Sequence, residues 1–156
     1  MKRSIALLSL GLAIPGCGTG ERPFRMVQFC LDDVGQIATM NAVLREVASA
    51  NKLPFYDNSK ETEAERNSAA EVQHNLPVAH PTVNVGTVGP DAMGFSAGNF
   101  AEAPSQILIG FSKDGDISKA RKLSDDVVHA LSKRWRVHEV PDVETSGAFP
   151  LKDCNG

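Results

Sequence analysis

Phe24-Arg25-Met26-Val27-Gln28-Phe29-Cys30-Leu31 decides the fold. Val27, Phe29 and Leu31 alternate with Met26, Gln28 and Cys30, the period-two pattern of a strand with one strongly apolar face. Asp32-Asp33 follows at once, and Asp33 with Gln36 has capping-box spacing. Val34, Ile37, Met40, Val43, Leu44 and Val47 then recur at helical spacing to about Asn51. A strand feeding straight into an amphipathic helix predicts a sheet with helices laid on it.

Downstream, Leu53 to Tyr56 reads as a short extended piece. Residues 57–75 are the least apolar stretch, and two readings stand open: an exposed helix over about 62–72, or a loop. Thr82–Val88 alternates as a strand and Gly89-Pro90-Asp91 is a turn signal. Met93–Phe100 reads as a returning, glycine-rich strand. Gln106–Ser112 is a strand with Ile107, Ile109 and Phe111 on one face. Ile117, Ala120, Leu123, Val127, Ala130 and Leu131 form the stripe of a second helix, and Trp135–Val140 reads as a last strand stopped by Pro141. The expected fold is α+β, a ferredoxin-like βαββαβ sandwich with two helices on one face of an antiparallel sheet. Its domain spans 24–156, with a polar insertion at about 57–81 and an irregular tail over 141–156.

The N-terminus has another character. Met1-Lys2-Arg3 is basic, Ser4–Ile14 is mostly apolar, and a small-residue segment follows, the layout of a secretory signal. An apolar run of about ten residues is half the ~20 that a spanning helix needs. Ile14-Pro15-Gly16-Cys17 resembles the lipobox of bacterial lipoproteins, with Pro15 standing where the pattern has another small residue. The resemblance implies a signal over 1–16, lipid on Cys17, a tether over 17–23 and, from Gly18, sorting to the periplasmic face of the outer membrane. Simple cleavage would instead leave a soluble periplasmic protein.

With Cys17 assigned to lipid, Cys30 and Cys154 remain, and an oxidising compartment favours their pairing. In the chain-entropy model a loop that long is worth ~4–5 kcal/mol. Removing residues 1–16 leaves 140 residues, one domain by length, with 14 basic against 19 acidic side chains. No cluster of Lys and Arg alternates with aromatics, so nucleic acid has no electrostatic footprint.

Gly94-Phe95-Ser96-Ala97-Gly98 matches G-x-S-x-G, the nucleophile elbow of the α/β-hydrolases. There a strained strand-to-helix turn pushes the serine toward a histidine. Ser96 would act with an acid such as Asp114, or Asp116, Asp125 or Asp126, and with His129 or His138 as base. Yet Pro104 soon follows and few strands precede the serine, which favours a plain glycine-rich strand. His74, His80, His129 and His138 make no metal-ligand spacing. Asp114-Gly115-Asp116 resembles a calcium loop only superficially, because Asp125 stands at the twelfth position where a Glu belongs. No metal and no cofactor is expected. Glu61, Glu63 and Glu65 read as a solvated face or a docking surface for a basic partner.

Export, a short tether and the absence of an assembled catalytic set point to protein–protein binding, of an immunity or envelope-assembly type. The partner would be another envelope or secreted protein, with the membrane engaged through the lipid anchor. A small serine hydrolase using Ser96 is the alternative.

Overall fold

The computed structural model describes residues 23–72, 80–100, 103–113 and 116–140. They form an α+β fold: a six-stranded antiparallel sheet and three helices. In chain order these are β1 (Arg25–Cys30), α1 (Ile37–Ala50), β2 (Tyr56–Asp57), α2 (Ser59–Val72), β3 (Asn84–Val88), β4 (Gly94–Asn99), β5 (Gln106–Ser112), α3 (Ile117–Ser132) and β6 (His138–Glu139). The sheet order is β2-β3-β4-β5-β1-β6. Both edge strands are two residues long, which leaves little backbone to template foreign pairing.

Alternation sorts the sheet into two faces. Val27 and Phe29 of β1 stand beside Ile109 and Ile107 of β5, and Ala97 of β4 continues the row. These side chains, with Phe95, Phe111 and Val85, are at most 2% exposed. Met40 and Leu44 of α1 and Leu123, Val127 and Leu131 of α3 close over them. Full burial of each such side chain contributes ~1.5–3 kcal/mol, so this one layer holds the fold. No residue of α2 is buried among those whose exposure is described. It is a polar helix hung on the edge of the sheet, where Asn84 Nδ2 donates to Thr62 Oγ1 at 2.7 Å.

The helix ends follow from local chemistry. Asp33 accepts from the Gly35 amide at 2.6 Å and caps a short 3-10 turn, Val34–Gln36, which runs into α1. Gln36 reaches back one residue further than a capping box requires: its Oε1 accepts from the Asp32 amide and its Nε2 donates to Asp32 Oδ2. At the other end Leu53 N donates to Ala48 O at 2.9 Å and Lys52 N to Ser49 O at 2.9 Å, a Schellman closure. Lys52 holds the left-handed position at φ 57°, where glycine is usual. For α3 the cap is Asp116, whose carboxylate accepts from Ser118 N at 2.9 Å.

One open choice is decided and two segments differ from the sequence expectation. Residues 59–72 resolve the open choice in favour of a helix. The extended piece after α1 is confined to Tyr56–Asp57. The last strand is only His138–Glu139, because Trp135 instead turns inward off α3: its N donates to Leu131 O, its ring packs 5.5 Å from Phe29, and its Nε1 donates to Gln36 Oε1 at 2.8 Å. A clasp holds that short strand in place. Arg25 donates to Ser124 Oγ at 3.0 Å, to Asp125 Oδ1 at 2.7 Å and to Glu139, joining β1, α3 and β6. The Glu139 carboxylate holds the guanidinium pKa above its ordinary value, against the opposing effect of partial burial.

Candidate functional site

Ser96 sits in the middle of β4, not at a turn into a helix. Its neighbours Phe95 and Ala97 point into the core, so Ser96 points to the opposite face, away from α1 and α3, and is exposed there. His129 belongs to α3, on the far side of the sheet. His138 pairs with Gln28, which gives it the face of Ser96, but β1 and β5 intervene and three strand spacings are ~14 Å. The structure therefore brings neither histidine to Ser96. Asp114, Cys17, Cys154 and His74 lie outside the described residues. Cys30 is disulfide-bonded, with a partner that likewise lies outside them.

What meets Ser96 is a residue the sequence reading passed over. Tyr56 of β2 lies across Gly86, whose hypothetical Cβ would come within 2.6 Å of the phenol oxygen. Since Gly86 and Ser96 are cross-strand partners, the phenol reaches over and hydrogen-bonds the serine hydroxyl. Burial pushes the Tyr56 pKa up, and the Ser96 hydrogen bond opposes that only in part. A protonated phenol with a raised pKa is a poor general base at neutral pH. Beside Ser96, the sheet face forms a shallow hollow of about 250 Å3 floored by Gly98, Gly110, Met26 and Leu108.

A second hollow, about 580 Å3, opens where α1, β2, the start of α2 and Pro81-Thr82 meet. Its polar groups come from distant parts of the chain. Asp57 at the end of β2 takes the Ser59 amide on Oδ1 at 3.1 Å and Asn41 Nδ2 on Oδ2 at 3.3 Å. A carboxylate can only accept here, so the Asn41 amide must turn its NH2 to Asp57 and its carbonyl away. That carbonyl oxygen, Asn41 Oδ1, is buried and has no hydrogen-bond partner. Thr82 in the opposite wall is 4% exposed, and its Oγ1 has no partner either. Buried polar groups of this kind cost ~1–3 kcal/mol each when unsatisfied, so two beside one hollow mark it out from the rest of the surface. Lys60 and Glu61 at its rim offset each other, which leaves Asp57 as the uncompensated charge among its lining residues. Among the described residues no group of three or more His, Cys, Asp or Glu could hold a metal ion, and no helix is long and apolar enough to cross a membrane.

No family model matches the chain, and no curated protein does. Among solved structures, the adenosylmethionine decarboxylase from Aquifex aeolicus VF5 is similar at 12% identity and a TM-score of 0.39, over 81% of this chain and 95% of that one. A likeness at that level says nothing of this chain's activity.

Proposed function

We propose that the chain is an exported envelope protein, held at the periplasmic face of the outer membrane by lipid on Cys17, that works by binding another protein. The observation that carries the binding is the hollow beside α1 and α2. It brings the exposed Asp57 carboxylate and the exposed apolar side chains of Val34 and Ala38 to one concave surface, the mix of polar and apolar groups that a protein interface uses. Export and anchoring rest on the signal over 1–16 and the lipobox-like Ile14–Cys17. Pairing of Cys30 with Cys154 belongs to the same proposal, as does the finer topology. In that topology β1, α1, β4, β5, α3 and β6 are the ferredoxin-like unit, in the sheet order β4-β5-β1-β6, and β2-α2-β3 is the polar insertion widened into an extra edge. An immunity or envelope-assembly protein fits this description.

The test places a photocrosslinking residue at Ala38, which is exposed and lines the hollow, and at Lys119, which is exposed on α3. Irradiation of intact envelopes is expected to give a defined adduct from position 38 and none from 119. Equal smears from both positions, or no adduct, would remove the binding reading. Mass spectrometry of the N-terminal peptide from the same sample tests the lipid on Cys17.

A further inference from the structure

Two buried glutamines are out of place. Gln28 of β1 and Gln106 of β5 alternate with the core residues Val27, Phe29 and Ile107, so they stand on the sheet face turned away from α1 and α3. Yet Gln28 is 2% exposed and Gln106 0%, and Gln106 Nε2 donates to Gln28 Oε1 at 3.1 Å. Side chains stand roughly perpendicular to a sheet, so neighbours on the same face close the sides and leave the tips open. Full burial needs chain laid across the top. Helix α2 does not supply it: it hangs on β3, three strands from β1, and none of its described side chains is buried. The cover is local, because Met26, Leu108 and Gly110 further along the same face are half-buried and line an open hollow.

Cys30, the cross-strand partner of Gln106, marks the same corner, and its disulfide partner lies outside the described residues. The route of the chain singles out the segment that carries the partner. Strand β6 runs antiparallel to β1 and ends pointing away from Cys30, where Val140 N donates to Met26 O at 3.0 Å. A Cys154 that pairs with Cys30 must come back past four residues of β1, ~13 Å. Residues 141–154 span up to ~46 Å extended, enough to cross the face and return. Ala148-Phe149-Pro150-Leu151 puts an apolar run just before Cys154, whereas Gly18-Thr19-Gly20-Glu21-Arg22, the stretch after Cys17, has no apolar side chain to lay over a sheet.

We propose that the C-terminal segment 141–156 is a strap docked on this outer face, with Ala148–Leu151 over Gln28, Gln106 and Leu108 and with Cys154 as its lock on Cys30. This rests on the Cys30–Cys154 pairing proposed above and adds the surface that the segment occupies. The spacing agrees: Leu108 is one strand across and two residues along from Cys30, ~8 Å, and Leu151 is three residues from Cys154, a reach of ~10 Å. The strap takes this corner of the sheet out of partner binding.

The test puts a diazirine analogue of leucine, which keeps the side chain's shape, at Leu108 of the full oxidised chain. Mass spectrometry then maps the adduct and the disulfide on the same sample. A cross-link within residues 141–154 is expected. A cross-link to residues 18–22 or 73–79, one to a second copy, or none would overturn the docking. Side-chain NMR supplies a second measurement. Phe149→Ser, which keeps all three cysteines, should speed solvent exchange of the Gln106 side-chain NH2 by ~10-fold or more, while Trp135 fluorescence stays that of the folded core. An unchanged exchange rate would equally overturn the strap. A Cys30–Cys154 link without the Leu108 adduct would leave the pairing and remove the docking, and a Cys30–Cys17 link would remove both.

Discussion

Gly94 and Gly98 flank Ser96 symmetrically in sequence and asymmetrically in space. A Cβ on Gly94 would overlap the Thr87 carbonyl, with its carbon 2.9 Å away and Val88 Cα 3.2 Å away. Those atoms belong to the paired strand β3 and cannot rotate aside. A Cβ on Gly98 would meet only Val83 O at 3.5 Å, an ordinary contact. Neither glycine has the positive φ that would exclude alanine on backbone grounds. Gly94→Ala should therefore cost ~1–3 kcal/mol from overpacking, and more if β3 and β4 must part. Gly98→Ala should gain ~0.4–1 kcal/mol, because alanine restricts the unfolded chain. The difference is ~1.4–4 kcal/mol, or roughly 6–16 °C in Tm at ~4 °C per kcal/mol for a domain of this size. Urea unfolding followed by the fluorescence of Trp135, the single tryptophan, reads both variants, with an unchanged slope expected. A nucleophile elbow would need both glycines for its turn, and both alanines would then damage the protein alike. Equal destabilisation within ~0.5 kcal/mol would refute the strand account of this motif.

Four further outcomes follow from the same geometry. Tyr56 is the single tyrosine, so absorbance should show its phenolate forming above the ordinary range in the folded protein and near 10 in urea. Its folded pKa lies above the unfolded one, so this contribution to stability is complete below the unfolded value and is lost as pH rises through the folded value. Ser96→Ala, by removing the hydrogen bond that lowers the pKa, should push the midpoint higher still. Arg25→Met should destabilise by no more than ~1–2 kcal/mol, because both carboxylates it releases are already well exposed, and faster hydrogen exchange at Val140 N should report the freed β6. Lys52→Gly should raise stability by ~0.5–1 kcal/mol in a thermal melt by relieving the left-handed position. Peptide mapping without reductant should find Cys30 joined to the peptide carrying Cys154, and a Cys30–Cys17 link would cancel both that pairing and the lipid on Cys17.

The sheet was legible where one physical signal acted alone. In β1 and β5 the apolar residues of one face are all buried, and both strands stand where that pattern puts them, with Gln28 and Gln106 of the other face buried against each other. Helix α3 follows suit in the main: Ala120, Leu123, Val127 and Leu131 of its apolar stripe are buried, while Ile117 and Ala130 are only partly so and Ser124 is buried beside them. The failures share a cause. Trp135 belongs to an apolar run that looks like a strand, but an indole that can both pack on Phe29 and donate to Gln36 gains more by turning inward. Helix α2 carries almost no apolar stripe, and its place depends on the pairing of Asn84 with Thr62, which no local pattern announces.

The functional residues show the opposite balance. Ser96 was conspicuous because its motif is local, yet the alternation of β4 that buries Phe95 and Ala97 sends it to a face where the described residues bring no histidine within reach. The hollow was invisible because Asn41, Asp57 and Thr82 are ordinary residues in three separate parts of the chain, and none has a motif around it. What joins them is an accounting of hydrogen bonds. Asp57 fixes the Asn41 amide so that its carbonyl has no partner, and Thr82 is buried with nothing to pair with. Among the described residues the serine has no histidine within reach, whereas the hollow sets the exposed Asp57 carboxylate beside α1 and α2, and the binding proposed above rests on that contrast.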